Sequence, residues 1–370
     1  MVGLEYKGNK KSNIIFLILS AFLTIFSAIR YGSGSDYFGY MWHYNNTPLS
    51  IVETLQLKTH VRGVFSIIMC FFKNLHFSYE MFIVVLSIFM MSIVTYTIWK
   101  ESKAKILSLL IFYSMYYHIY MNSALRQGLA MCIFLYAFYK FFKEGKMVKY
   151  IILILIGSTI HYSLLIMILM PAIKWFYNKY AFNKKAYIIL FSGAVLFFVL
   201  KLERIIPLVG NSLGLYIPYE SSGPNILAIM LRIILLSVIL ILYKYSDKSK
   251  VDDFDRFQIF VYFIGIVIFI AVSNTPVLSR LTEYFSVLDV LIFANLISSI
   301  NLKNIKFIGI LIVGLIIGVV FIKDQASFVY QGSYYNKSIY SYPYVSIFNK
   351  EDIFHYRFIE DKYLPPLRRN

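Results

Sequence analysis

Residues 81–99 read MFIVVLSIFMMSIVTYTIW, an uncharged apolar stretch close to the length of about 20 residues that a helix needs to cross a bilayer. Stretches of the same kind recur at 13–29, 150–173 and 257–279. The chain of 370 residues is 59% hydrophobic and 15% charged, whereas a soluble domain carries about a quarter charged residues. The sequence therefore predicts an all-α, polytopic integral membrane helix bundle.

Two of the apolar segments do not fit a simple crossing. The segment 61–75 is short and contains Lys73, and the segment 150–175 is interrupted at 157–161 by Gly-Ser-Thr-Ile-His. We predict that both are re-entrant or broken, because non-helical backbone at membrane depth is tolerated only where it lines a polar cavity. With these two, the bundle has about 9–11 membrane segments. The nine predicted spans are 13–29, 79–99, 104–121, 124–142, 186–201, 225–243, 257–274, 282–299 and 306–322.

Positive charge predicts the orientation of the bundle. The net charge of +17 comes largely from lysines in short loops between apolar segments, a position that sets topology and does not indicate nucleic acid as a partner. If both awkward segments enter and leave on one side, every lysine-rich short loop falls in the cytoplasm together with the N-terminus. We then expect a transmembrane domain over 1–322 and a non-cytoplasmic aromatic and polar tail over 323–370.

Arginine is distributed differently from lysine in this topology. A guanidinium binds phosphate or carboxylate through two parallel hydrogen bonds, which an ammonium cannot do, so an outer cavity rich in arginine suits an anionic lipid headgroup such as a diphosphate. The alternative is a set of snorkelling anchors at helix ends, which is the preferred interpretation for Arg30 and Arg204. Polar neighbours favour binding for Arg126 and Arg280. The arginines at or near outer ends are Arg30, Arg62, Arg126, Arg204 and Arg280, and Arg232 lies within a segment.

The first outer loop contains one carboxylate among aromatic side chains. Asp36 is followed by Tyr37, Tyr40 and Trp42. Such a group suits stacking on sugar rings with one acid or base beside them. An interfacial aromatic belt with a solvated aspartate is the alternative.

Two further polar groups interrupt apolar segments. Asn122, Arg126 and Gln127 can cluster on one helical face, because they are spaced at i, i+4 and i+5. An arginine and a glutamine opening an apolar helix are costly unless they face a polar cavity. His161 stands at the interruption of the segment 150–175. Its side chain is either satisfied structurally or part of a functional site.

Late in the chain, Arg280 and Glu283 stand three residues apart at a helix start. They either pair with each other, or Arg280 binds an anion while Glu283 orients it or acts as a base. Asp289 falls inside the membrane and requires a partner. The sequence has no Walker loop, no dinucleotide fingerprint and no metal-ligand cluster, so we expect no cofactor and no metal.

These groups, taken in order, resemble the EpsG-like family of bacterial membrane proteins, which are similar to Wzy O-antigen and capsule polymerases. The resemblance covers about 13–322, and the stretch 126–130, Arg-Gln-Gly-Leu-Ala, is its most specific part. The residues that carry it are Asp36-Tyr37, Asn122, Arg126 to Ala130, His161-Tyr162-Ser163, Arg280 and Tyr284-Phe285.

The resemblance implies a glycosyltransferase in the bacterial inner (plasma) membrane, acting on its periplasmic or extracellular face. Such an enzyme moves an undecaprenyl-diphosphate-linked glycan chain to the sugar hydroxyl of a new lipid-linked repeat unit. The lipid-linked oligosaccharide and the bilayer are the expected partners, and a chain-length regulator is a further one. The alternatives are a lipid-phosphate-dependent transferase that adds single sugars, and a flippase or transporter of lipid-linked oligosaccharides.

Such a reaction needs cations for the departing diphosphate and a base for the acceptor hydroxyl. The resulting catalytic candidates are Asp36, Arg126, His161, Arg280 and Glu283, with the choice of base left open among Asp36, His161 and Glu283. The substrate-binding candidates are Tyr37, Tyr40, Trp42, Arg62, Asn122, Gln127, Arg232 and Tyr284.

Overall fold

The structure, a computed structural model, describes residues 10–57, 63–180, 183–201, 205, 226–332 and 343–353. Within these ranges the chain is helical and forms no β-strand, although one isolated bridge joins Arg30 and Ser346. Six helical segments are long and apolar enough to cross a membrane. The predicted all-α, polytopic membrane fold is therefore confirmed.

The helix boundaries follow the predicted spans closely. Two π-helical stretches, Tyr113–Ser123 and Phe138–Phe142, continue α6 and α7, and a 3-10 helix covers Tyr162–Leu169. Short helical turns cover Pro276–Ser279, Arg280–Thr282, Glu283–Ser286 and Lys350–Asp352. The α-helices are α1 Lys10–Ala28, α2 Tyr37–Asn46, α3 Ile51–Gln56, α4 Val64–Asn74, α5 Tyr79–Glu101, α6 Lys105–Phe112, α7 Leu125–Ala137, α8 Met147–Ile160, α9 Met170–Tyr180, α10 Lys184–Val199, α11 Ile226–Tyr245, α12 Asp253–Val272, α13 Asp289–Ser299 and α14 Lys303–Gly332.

The chain divides into two compact units, the first made of residues 1–162 and 314–370 and the second of residues 163–313. In the first unit α1 packs on α5, and α7 packs on α5 and α8. One end of this unit, here called the lysine end, is marked by Lys105, which donates to Asn13 at 2.9 Å, and by the ion pair of Lys143 with Glu101 at 2.6 Å. The opposite end, here called the arginine end, contains Arg30 and Arg126.

The second unit is built around α12, which packs against α10, α11 and α13. A capping box formed by Asp252 and Asp255 starts α12. The apolar part of residues Arg280–Ser299 is 83% buried, whereas that of α11 is 17% buried. The exposed apolar side chains of α11 are those expected of a helix that faces lipid.

The two awkward segments are as irregular as predicted. Helix α4 has 11 residues, about 16 Å at 1.5 Å per residue, which is too short to cross a hydrocarbon core of about 30 Å. Helix α8 ends at Ile160, and the chain leaves helical geometry at His161. The boundary that differs most from the prediction is the end of α14, which continues to Gly332 and does not stop at 322.

Candidate functional site

A break in the backbone precedes the arginine of the Arg-Gln-Gly-Leu-Ala stretch. The π-helix Tyr113–Ser123 ends at Ala124, whose backbone angles are φ −79° and ψ 60°. A Cβ on Gly128 would lie 1.9 Å from the carbonyl oxygen of Tyr120, so only glycine allows α7 to pack on the end of the π-helix. π-Helical turns occur frequently at functional sites, and this one leads directly into the Arg-Gln-Gly-Leu-Ala stretch.

The break directs Asn122 and Arg126 to different neighbours. Asn122 is buried and its Oδ1 accepts a hydrogen bond from Ser27 of α1 at 3.0 Å. The Nε of Arg126 donates to the carbonyl oxygen of Ile160 at 3.2 Å. The predicted clustering of Asn122 and Arg126 on one helical face is therefore wrong, because the backbone leaves helical geometry at Ala124 between them. Gln127 is buried within α7.

The second break of the first unit lies at the other end of the Arg126 hydrogen bond. His161 follows Ile160 directly in an extended conformation, with φ −144° and ψ 112°. Its ring is largely buried and stacks on Tyr162 with centroids 5.3 Å apart. Arg126 thus ties the start of α7 to the end of α8, and the predicted interruption at 157–161 is confirmed.

The first outer loop reaches the same place. Gly34 has φ +101°, and a Cβ there would lie 2.3 Å from the carbonyl oxygen of Asn122. The hydroxyl oxygens of Ser35 and Ser123 are 2.7 Å apart, and Ser35 also donates to Asp36 at 3.1 Å. The exposed Asp36 side chain is consequently held at the arginine end, beside the end of the π-helix.

The aromatic residues after Asp36 are mostly packed inside the unit. Tyr37 is fully buried, with its ring in edge contact with Tyr31 and Tyr79, and Tyr40 is buried against Phe65. The predicted sugar-stacking role does not suit Tyr37 or Tyr40, because their rings are covered by other rings. Trp42 is half-buried and keeps a surface that a sugar ring can reach.

Arg30 is not the snorkelling anchor that the sequence suggests. Its side chain is fully buried and donates to the carbonyl and hydroxyl oxygens of Ser27 and to the hydroxyl of Ser87 at 3.1 Å. The Nε and Nη2 atoms of Arg30 have no acceptor within hydrogen-bond distance among the described residues. An anchor keeps its guanidinium in water, so that prediction is wrong for Arg30. Arg62 and Arg204 lie outside the described residues.

A C-terminal segment, residues 343–353, covers Arg30 and its neighbours. The backbone amide of Tyr31 donates to the carbonyl of Val345 at 2.8 Å. The backbone amide of Ile347 donates to the carbonyl of Ile29 at 2.9 Å. Tyr344 donates to the carbonyl of Phe26 at 2.7 Å and stacks on its ring with centroids 4.0 Å apart. The aromatic character of the tail was the only sequence signal for this contact.

In the second unit, Glu283 pairs with a residue that the sequence did not assign to it. Nη2 of Arg232 lies 2.6 Å from Oε1 of Glu283, and Arg232 also donates to the hydroxyl of Ser286. The guanidinium carbon of Arg232 lies 4.0 Å from the centre of the Phe269 ring. Arg280 is exposed, and the partner that the structure gives to Glu283 is Arg232.

Two more polar residues of this unit have structural partners. The hydroxyl of Tyr284 is fully buried and lies 2.9 Å from the hydroxyl of Ser163. Asp289 is fully buried and acts electrostatically on Tyr262, as do Arg232 and Glu283. Arg232, Glu283 and Asp289 therefore lie close enough to the buried Tyr262 to affect it electrostatically, and Ser163 and Tyr284 form a separate buried pair.

Two cavities lie apart from these groups. One of about 250 Å³ is at the lysine end of the first unit, between Tyr96, Lys100, Tyr136 and Lys140. The other, of about 520 Å³, is in the second unit and is lined by aromatic and aliphatic side chains with Arg256. Neither is lined by a residue of the predicted site.

The described part of the chain thus defines a polytopic helical membrane protein whose polar side chains gather at breaks in apolar helices. The EpsG family profile matches residues 13–346, and the chain belongs to this family, which is of the Wzy-like polymerase type. The match extends beyond 322 and includes the first residues of the C-terminal segment. No curated protein and no solved structure shows a significant match.

Proposed function

We propose that this chain is a polysaccharide polymerase that transfers an undecaprenyl-diphosphate-linked glycan to the sugar hydroxyl of a new lipid-linked repeat unit. The family membership supports polymerisation of a polysaccharide at a membrane. The observation that carries the proposal is the bond from Arg126 to Ile160, which joins two broken helices beside the loop of Asp36. We place this site on the outer face, because the lysine end of the same unit suits the cytoplasm.

The reaction requires one bond to form and one to break. The acceptor hydroxyl oxygen bonds to the anomeric carbon of the growing chain, and the bond from that carbon to the diphosphate oxygen breaks. The diphosphate leaves with the electron pair, and a base takes the hydroxyl proton. Because the diphosphate is already an activated leaving group, no nucleotide is needed.

The geometry supports different tasks for the predicted residues. In the first unit, Arg126 suits the charge that develops on the departing diphosphate. Arg280 of the second unit is exposed and, taken by itself, is a further candidate to bind phosphate. Asp36 is exposed and suits the base, whereas Oε1 of Glu283 is engaged by Arg232. His161 is largely buried at the end of α8, where its ring stacks on Tyr162 next to the carbonyl of Ile160 that accepts from Arg126. Trp42 suits contact with a sugar ring.

Purified protein incubated with a lipid-diphosphate repeat unit tests the proposal. We expect a ladder of longer products from the wild-type chain and none from Arg126→Ala or Asp36→Asn. The matched control is Arg256→Gln, which removes an arginine that takes no part in the site and should leave the ladder intact.

Two outcomes would overturn the assignment. A ladder of wild-type length from Arg126→Ala would show that this arginine is not part of the machinery. Products longer by a single sugar only, made by the wild-type chain, would indicate a lipid-phosphate-dependent transferase.

A further inference from the structure

One edge of the buried Arg30 guanidinium has two donor nitrogens, and no described residue accepts a hydrogen bond from either of them. Its Nη1 is used by Ser27 and Ser87. Nε and Nη2 are buried and lack an acceptor among the described residues. These two atoms form the side-on edge of a guanidinium, which binds two oxygens of a phosphate or carboxylate in parallel.

Tyr37 is a second buried side chain near Arg30 with an unused donor. Its hydroxyl is buried without a hydrogen-bond partner among the described residues, and Tyr37 and Arg30 interact electrostatically. Burial raises the pKa of Tyr37 well above its usual value, so its hydroxyl remains a protonated donor. Three other tyrosines affect Arg30 electrostatically: Tyr79, Tyr117 and Tyr344. By contrast with Tyr37, each of their hydroxyls donates a hydrogen bond to a backbone carbonyl.

The charge of Arg30 has no carboxylate counterpart. Among the described residues no carboxylate oxygen lies within ion-pair distance of its guanidinium, and the nearby Glu80 is 3.7 Å from Lys350. A buried cation without a counter-charge is strongly unfavourable. Two guanidinium donors and the hydroxyl of the neighbouring Tyr37, all unused by the described residues, favour an oxyanion together with the one uncompensated positive charge.

We propose that Arg30 and Tyr37 form a binding site for a phosphoryl group, closed from outside by residues 343–347 of the C-terminal segment. A tetrahedral oxyanion offers two oxygens to the guanidinium edge and a third to the tyrosine hydroxyl, which a halide ion does not. For the phosphoryl group to enter, two backbone hydrogen bonds must break, one from Tyr31 to Val345 and one from Ile347 to Ile29.

The phosphoryl group has two sources, a free phosphate or the diphosphate of a lipid-linked glycan. The second source rests on the proposed function, since it makes Arg30 a further residue that binds the lipid diphosphate. Inorganic diphosphate and a short-chain prenyl diphosphate are therefore the two probes, with sodium chloride of equal ionic strength as the reference.

The test uses the full chain in detergent and measures the Kd of each diphosphate probe and the shift that the probe causes in the thermal unfolding midpoint. A ligand that binds only the folded state raises this midpoint. We expect Arg30→Gln to abolish the shift and Arg30→Lys to raise Kd about tenfold, because a lysine lacks the parallel fork. Tyr37→Phe should also raise Kd about tenfold, the effect of losing a hydrogen bond to a charged group. Tyr117→Phe, whose hydroxyl proton is already used, is the matched control and should bind like the wild type.

The outcomes separate this site from the polymerase proposal. Equal shifts for wild type and Arg30→Gln, or no difference between either diphosphate and chloride, would overturn the site. If Arg30→Gln fails to fold, Tyr37→Phe against Tyr117→Phe decides, because equal Kd values for these two would also overturn it. Diphosphate binding that depends on Arg30 without any product ladder would retain the site and reject the proposed function. A lower Kd for the prenyl diphosphate than for inorganic diphosphate would identify the lipid-linked diphosphate as the source. Equal Kd values for the two probes would identify a free inorganic phosphate as the source.

Discussion

Nη2 of Arg232 and Oε1 of Glu283 lie 2.6 Å apart, although 51 residues separate them in the chain. Their side chains are 15% and 21% exposed, so the pair is largely removed from water. Glu283 therefore connects α11 to the turn that follows Arg280, through an arginine that lies far from it in the sequence.

This pairing predicts a loss of stability when Glu283 is changed. Glu283→Gln should lower the free energy of unfolding by about 2 to 4 kcal/mol, because Arg232 would lose its counter-charge in a largely dry environment. Arg280→Gln changes an exposed side chain and should stay within about 0.5 kcal/mol of the wild type. Chemical unfolding in mixed micelles measures both, and equal losses would contradict the pairing.

Gly128 is predicted to be intolerant of even one methyl group. In Gly128→Ala the new Cβ would meet the carbonyl oxygen of Tyr120 at 1.9 Å, so α7 must shift and the folded fraction should fall sharply. Gly318→Ala is the control, since nothing lies within 4 Å of its Cβ and a helical alanine is favoured by about 1 kcal/mol. Fluorescence-detected size-exclusion chromatography compares the two, and similar profiles would show that the close approach is unimportant.

The C-terminal segment is predicted to depend on Tyr344. Tyr344→Ala removes its hydrogen bond to Phe26 and their ring stacking, so amide exchange at Tyr31 and Ile347 should accelerate at least about tenfold. Phe348→Ala alters an 80% exposed side chain of the same segment and should leave exchange unchanged. Hydrogen–deuterium exchange followed by mass spectrometry provides the measurement. Unchanged exchange in Tyr344→Ala would mean that other contacts hold the segment.

The two ends of the first unit are predicted to face opposite sides of the membrane. In a chain whose buried Cys70 and Cys132 are replaced by serine, Ser35→Cys should react with an impermeant maleimide added to intact cells. Lys103→Cys should react only after permeabilisation, because lysine-rich loops are retained in the cytoplasm. The reverse pattern of labelling would move the proposed site to the cytosolic face.

The membrane class, the approximate spans and the two irregular segments were predictable from the sequence, because each depends on local runs of apolar residues. The helices α1, α5, α11 and α12 begin and end within a few residues of the predicted spans. The predicted spans 104–121 and 124–142 already imply an interruption near Ala124. They do not imply that a π-helix leads into it, or that Asn122 and Arg126 reach different neighbours.

The sequence by itself thus determined that this is a helical membrane protein and which polar residues its apolar segments must accommodate. Tertiary structure alone decided their partners: Arg126 with Ile160, Glu283 with Arg232, and Arg30 enclosed beneath residues 343–347. The physical reason is that hydropathy is a property of residues that are neighbours in the sequence. The partner of a buried polar side chain, by contrast, comes from any part of the chain that packing brings close to it.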